Sequence, residues 1–148
     1  MSTGPTRIDP RGPRTAAIAT AVVLGIALMS IPTALFPLLV AFSALVAGLG
    51  ALAGIAAQPY VWIYDHGVAA RLPAPRSWQG GAAPRFAQGS AAALLVLGLA
   101  AWFLGFGMAA ATLVAAVWVI ALTLAITGYC IGCQGYAVWQ QVRHGAEV

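Results

Sequence analysis

The chain has 148 residues, of which 61% are hydrophobic and 7% charged, with seven basic and three acidic residues giving a net charge of +4. Soluble domains carry roughly 25% charged residues, so composition excludes a soluble globular domain. The arginines flank apolar runs instead of lining a polar face, which excludes a nucleic-acid footprint, and two cysteines exclude a disulfide-dense secreted scaffold.

Residues 1–14 form a basic leader carrying Arg7, Arg11 and Arg14. No charged residue follows over 15–64, nor over 86–142. A helix rises about 1.5 Å per residue while the hydrocarbon core is about 30 Å thick, so each uncharged block crosses twice. Breakers fall where a turn is needed, at Ile31-Pro32-Thr33-Ala34 and at Gly105-Phe106-Gly107-Met108. Four spans are predicted, over 15–31, 36–57, 86–105 and 109–128. The fold class expected is an all-α membrane protein, with hairpins over 15–57 and 86–128, a connecting loop over 58–85 and a terminal segment over 129–148. The first span is the shortest, and Pro13 suits an earlier start in its first helical turn. A signal peptide is the competing reading of the leader. It is disfavoured because the apolar run continues into a second span without a small-residue cleavage site.

Orientation follows from the arginines. Arg7, Arg11 and Arg14 precede the first span, Arg71, Arg76 and Arg85 lie in the loop, and Arg143 follows the fourth, while both short turns have none. The positive-inside rule places all three basic segments, and so both termini, in the cytoplasm. Tyr60, Trp62 and Tyr64, and later Tyr129, Tyr136 and Trp139, fall at the same expected interface. Mid-span Trp118 reads as packing. Pro13-Arg14 before the first hairpin and Pro84-Arg85 before the second suggest a weak duplication. Gly50 with Gly54, and Gly128 with Gly132, are spaced to share a helix face, as close helix packing in lipid favours.

The most distinctive segment is Gly128-Tyr129-Cys130-Ile131-Gly132-Cys133-Gln134-Gly135-Tyr136. Residues three apart on a helix have side chains roughly 5–6 Å apart, and a disulfide wants about 3.5–4.5 Å between β-carbons, so reversible closure of Cys130 and Cys133 needs only a local tightening at Gly132. A cytoplasmic setting favours a transient, redox-active pair over a permanent bridge. If the fourth span runs unbroken through Cys133, the sulfurs sit at a helix C-terminus that disfavours thiolate. If Gly128 ends the span and a new helix begins at Tyr129, Cys130 lies at an N-terminus that favours it. Two other readings stay open: plain packing of two small side chains, and a metal site completed by Asp65, His66 or His144. Gln134 stands where covalent haem attachment requires histidine.

His66, oriented by Asp65, is a candidate base for a thiol if it meets Cys130 at the interface. His144 in the tail is given no role. No phosphate-binding glycine loop, no carboxylate pair and no ionisable residue inside a predicted span is present, which counts against a proton-coupled pump.

Asp9-Pro10-Arg11-Gly12-Pro13-Arg14, Pro84-Arg85-Phe86-Ala87-Gln88-Gly89 and Gly128-Tyr129-Cys130-Ile131-Gly132-Cys133, in this order and spacing, resemble a bacterial family of small membrane proteins termed domain of unknown function 4395. The resemblance covers essentially the whole chain. It implies a four-helix protein of the bacterial plasma (inner) membrane without an assigned activity. Members of the family are often encoded or fused near thioredoxin-like proteins and sulfurtransferases, which points toward thiol or sulfur work.

The leading expectation is a membrane-embedded thiol-redox or sulfur-handling protein, with Cys130 and Cys133 exchanging electrons or sulfur with a thioredoxin-like or rhodanese-like partner. No cofactor is implied, and an enzyme acting on its own is not the favoured form. Arg11, Arg14, Arg71, Arg76 and Arg85 are assigned to topology or to docking that partner. The alternatives are a non-catalytic scaffold or accessory subunit, and a small sulfur-anion transporter. The sequence leaves the oligomeric state open.

Overall fold

The computed structural model describes residues 7–145; residues 1–6 of the leader, and the end of the tail including Glu147, lie outside them. A two-residue strand β1 (Arg7–Ile8) leads into α1 (Arg11–Met29) and α2 (Leu35–Leu52). A short α3 (Pro59–Ile63) and an irregular loop follow, then strand β2 (Gln79–Gly80), α4 (Ala82–Phe103), α5 (Gly107–Thr127) and α6 (Ile131–Gly145). Four of these helices, α1, α2, α4 and α5, are long and apolar enough to cross a membrane. Their outward faces carry exposed Val22, Leu38, Leu45, Leu97 and Val119, which suits contact with acyl chains.

The helix ends differ from the sequence reading in informative ways. α1 begins at Arg11, before the expected start at residue 15, with Pro13 in its first turn where a missing N–H costs nothing. Asp9 Oδ1 accepts the backbone N–H of Arg11 at 2.9 Å and so satisfies one of the unpaired donors of the helix start. α2 stops at Leu52, short of residue 57, because Gly54 takes a φ of 100° that no helix continues through. α4 begins at Ala82, ahead of residue 86. Gly54 and Gly128 both lie outside the long helices with positive φ, so neither proposed glycine pair shares a face of one helix.

α1 packs on α2 and α5, and α4 packs on the same two, leaving the diagonal pairs α1/α4 and α2/α5 almost without contact. Toward the turns between consecutive spans the centre is filled by Leu24, Phe36, Val40 and Val114, with Leu95 at mid-bundle, all fully buried. Phe36 lies 4.7 Å from Trp102, ring centre to ring centre. Trp118 donates its indole N–H to the carbonyl of Ala21 at 2.9 Å and fills the space left by Gly25, which ties α5 to α1. Lipid is as apolar as these side chains, so close packing and such inter-helix hydrogen bonds hold the bundle rather than escape from water.

The two halves share a plan. In each, a long helix, a turn and a second long helix end at a positive-φ glycine, Gly54 or Gly128. A shorter helix then folds back on the first of its own half, α3 on α1 and α6 on α4. Gly12 admits Val61 in the first contact, and Gly132 admits Ala87 in the second. The halves are cross-linked by the repeated arginines. Arg14 donates through Nε and Nη2 to the carbonyls of Ala125 and Ile126 at 3.0 and 3.1 Å, and Arg85 donates likewise to Ala51 and Leu52 at 3.1 and 3.0 Å. Each guanidinium thus caps carbonyls that a helix C-terminus leaves unpaired. The strands β1 and β2 pair antiparallel, Arg7 opposite Gly80 and Ile8 opposite Gln79, joining the entries to α1 and α4. The start of α1, the end of α2, the start of α4 and the end of α5 are therefore gathered at one end of the bundle.

Candidate functional site

At this end the four spans present small residues to the centre: Ala17 from α1, Ala47 from α2, Ala87 and Ala91 from α4, and Ala121 from α5. Methyl groups cannot fill the space that Leu24, Phe36 and Val40 fill at the other end. The result is a cavity of about 470 Å³ that reaches from Leu95 and Val117 in mid-bundle to the segment 128–134.

That segment is shaped by a helix break. Gly128 ends α5 in the left-handed conformation, φ 74° and ψ 3°, with its N–H on the carbonyl of Leu124 at 2.9 Å. The hydroxyl of Thr127 accepts the N–H of Tyr129 at 3.0 Å and turns the chain. α6 then starts at Ile131, with the carbonyl of Cys130 accepting the first helical N–H, from Gln134, at 3.2 Å. Cys130 consequently occupies the position immediately before the helix. The break considered from the sequence is present, with α6 starting two residues beyond Tyr129.

Cys130 and Cys133 are at disulfide distance and bonded, with their α-carbons 5.2 Å apart. The N–H of Cys133 donates to Sγ of Cys130 at 3.2 Å, an interaction that, with the unpaired donors of the first turn, favours negative charge on this sulfur whenever the bond is open. Gly132, between the cysteines, is set by packing: a β-carbon there would lie 2.5 Å from Cβ and 3.0 Å from Cα of Ala87. The tight contact holds the start of α6 on α4. Farther along, Phe86 and Tyr136 meet with ring centres 5.7 Å apart. The remaining apolar residues of α6, among them Val138, Trp139 and Val142, are exposed.

Both cysteines belong to the wall of the cavity, as do Thr20, Gln88 and Gln134. No charged residue lines it among those described. Gly50 leaves room for the amide of Gln58 and for the Cγ of Gln88, each 3.3 Å from where its β-carbon would lie. Gln58 is 1% exposed and donates to the carbonyl of Val46 at 3.4 Å, while its Oε1 has no partner among the described residues. Sequence reasoning singled out the cysteines but missed Gln88 and Gln58. An isolated glutamine in an apolar run is a usable signal, and only the fold shows that both side chains gather at Gly50.

His66 lies elsewhere. Its Nδ1 is 2.9 Å from the carbonyl of Trp62 and its ring stacks on the Trp62 indole at 4.5 Å, and it is not part of the cavity wall. Nearby Tyr60 packs against a small core formed by Ala16, Ile55 and Val61, where burial raises the pKa of its phenol. Among the described residues no group of three or more His, Cys, Asp or Glu side chains is placed to hold a metal ion. Of the arginines assigned to topology or docking, Arg14 and Arg85 cap helix ends, and Arg11 reaches the carbonyl of Pro73 at 3.4 Å. Arg71 and Arg76 lie on the connecting loop.

The chain matches the family described as Domain of unknown function (DUF4395) over residues 8–141, nearly its whole length. It belongs to the DUF4395 family. No curated protein and no solved structure matches it. The membership expected from the three sequence motifs is thereby established. It carries no activity with it, so any function for this DUF4395 protein is argued from its own residues.

Proposed function

We propose that this DUF4395 protein is a multi-pass protein of a bacterial plasma membrane, crossing as two hairpins with both termini cytoplasmic. Its Cys130–Cys133 pair exchanges electrons or sulfur with a soluble thioredoxin-like or rhodanese-like protein. The observation that carries this reading is the placement of a bonded cysteine pair at the first turn of α6, where the helix N-terminus and the Cys133 N–H favour a thiolate at Cys130. The arginine distribution supports the orientation. The apolar face of α6 with Trp139, ending in Arg143 and His144, suits a helix lying in the headgroup layer. Arg71 and Arg76 offer docking charge on the same side of the bilayer.

Chemically, a partner thiolate attacks one sulfur of the pair, a mixed disulfide forms, and the released thiolate leaves on the other cysteine. A second partner thiol then resolves the mixed bond, leaving a dithiol here and a disulfide on the partner. The test is trapping. In membranes treated with the thiol oxidant diamide, which takes up the two electrons and two protons, and containing a thioredoxin-like protein without its resolving cysteine, a Cys133→Ser variant accumulates a reductant-sensitive adduct through Cys130, and the Cys130→Ser variant accumulates much less. Equal absence of adduct in both removes the proposal.

A second reading, a non-catalytic scaffold, is favoured by the close seating of Gly132 on Ala87, which gives this segment a packing role of its own. It predicts that a Cys130→Ser, Cys133→Ser double variant keeps its partner and its physiological function. The absence of charge in the cavity wall favours a neutral ligand over the sulfur anion of the transporter alternative.

A further inference from the structure

The cavity and the cysteine pair share a wall, and the chemistry of that wall selects an occupant. At about 470 Å³ it falls within the range of roughly 300–1,000 Å³ typical of small-molecule sites. Alanine, leucine, valine and isoleucine supply about half of its lining, glycine, proline and a few neutral polar side chains much of the rest, and no charged side chain is present among the described residues, so a charged ligand gains no counter-ion there. The amide of Gln88 and the hydroxyl of Thr20 border it without a side-chain hydrogen bond to other described residues. A neutral, largely apolar molecule bearing a few hydrogen-bond acceptors satisfies both features.

We propose that the cavity receives the ring of a lipid-soluble quinone, which oxidises the Cys130–Cys133 dithiol. The inference rests on the redox reading of the pair. It adds the acceptor that lets the pair turn over. In the reaction two S–H bonds are lost and one S–S bond forms. The two protons and two electrons pass to the quinone oxygens, giving a hydroquinone that returns to the bilayer. Cys130, favoured as thiolate, is the sulfur that meets the quinone first, and Cys133 closes the bond. Gln88 and Thr20 donate hydrogen bonds to the ring carbonyls. An acyl chain of a phospholipid also suits the apolar wall, but it uses neither polar group and accepts no electrons.

The experiment uses the full chain in nanodiscs, reduced, freed of reductant and kept without oxygen. Decylubiquinone is added, free thiols are counted by alkylation and mass spectrometry, and quinone loss is followed by absorbance. The expected result is loss of both thiols with one hydroquinone formed per chain. Ala91→Phe, which fills the cavity away from the sulfurs, slows this at least tenfold, and Gln88→Leu raises the quinone concentration for half-maximal rate several-fold. Oxidation by water-soluble diamide proceeds in Ala91→Phe as in the parent protein, and an unchanged midpoint of thermal unfolding shows that the variant is folded. No thiol loss with decylubiquinone while diamide closes the pair overturns the quinone site and leaves the redox reading intact. Failure of both oxidants overturns the two together, and an equal quinone rate in parent and Ala91→Phe overturns the assignment to this cavity.

Discussion

Arg14 and Arg85 occupy equivalent places in the two halves and do the same thing: each is the fourth residue of a long helix and reaches across to cap the last carbonyls of a long helix in the other half. Arg14 serves Ala125 and Ile126, and Arg85 serves Ala51 and Leu52. The repeat of Pro-Arg before each predicted hairpin thereby has a structural cause beyond charge placement. The same arginine closes a helix end whose last carbonyls have no intrahelical donor.

Replacing either arginine by leucine leaves two carbonyls without their donor. A loss of about 1–2 kcal/mol is expected for each, at the lower end of the range for hydrogen bonds to charged groups because both sites are partly open to solvent. Arg85→Lys should recover only part of it, since a single ammonium does not reproduce the fork that meets two adjacent carbonyls. Unfolding in graded denaturing detergent measures all three variants, and equal stability of Arg85→Leu and parent would count against the capping role.

The positive-φ glycines differ in what they tolerate. Gly128, at φ 74° and ψ 3°, lies near the left-handed region that asparagine also visits, so Gly128→Asn is expected to cost little and Gly128→Ala about 1–2 kcal/mol. Gly54, at φ 100° and ψ 159°, occupies a region essentially restricted to glycine. Gly54→Asn should therefore be as damaging as Gly54→Ala. The same unfolding series reads the contrast, which disappears if both positions accept asparagine equally.

Gly132→Ala places a methyl group against the backbone of Ala87 and forces the start of α6 away from α4. Overpacking of this kind costs about 1–3 kcal/mol. The rate at which Cys130 and Cys133 close should fall as well, because Cys133 moves with the helix. Ala87→Gly in the same chain makes room for the new methyl and should restore much of both properties. A double variant no better than Gly132→Ala would show that the contact does not position the pair.

With the disulfide reduced, the two cysteines should differ in reactivity. Cys130 stands before the helix and accepts the Cys133 N–H, so it is the better thiolate near neutral pH. Alkylation by iodoacetamide at pH 7 is expected to be faster for Cys130 in a Cys133→Ser chain than for Cys133 in a Cys130→Ser chain. The reverse order would place the reactive sulfur at the wrong position.

The four long apolar helices were readable from charge-free runs alone, because a bilayer imposes both length and composition on what crosses it. Their ends were less legible. Arg11 and Arg14 lie inside α1 although charge marks its boundary in the sequence, since the Arg14 guanidinium reaches the end of a neighbouring helix from the first turns of its own. The spacing of Gly54 and Gly128 points to packing, whereas their role is set by the sign of φ, which spacing does not encode. The cysteine pair was visible as a motif, and the helix break that decides its electrostatics was one of two arrangements the residues allowed. The cavity was not legible at all. It arises from alanines on four different helices that become neighbours only in the bundle, and His66, adjacent in expectation, is turned toward Trp62 instead.

The central claim, that Cys130 and Cys133 cycle between dithiol and disulfide in the membrane, is tested most directly by mass-tag alkylation of the full chain in its native membranes across a graded series of thiol–disulfide buffers. The account predicts that both cysteines pass together and reversibly from doubly tagged to fully protected as the buffer becomes oxidising. Two tags at every potential, or none even under strong reduction, would contradict it.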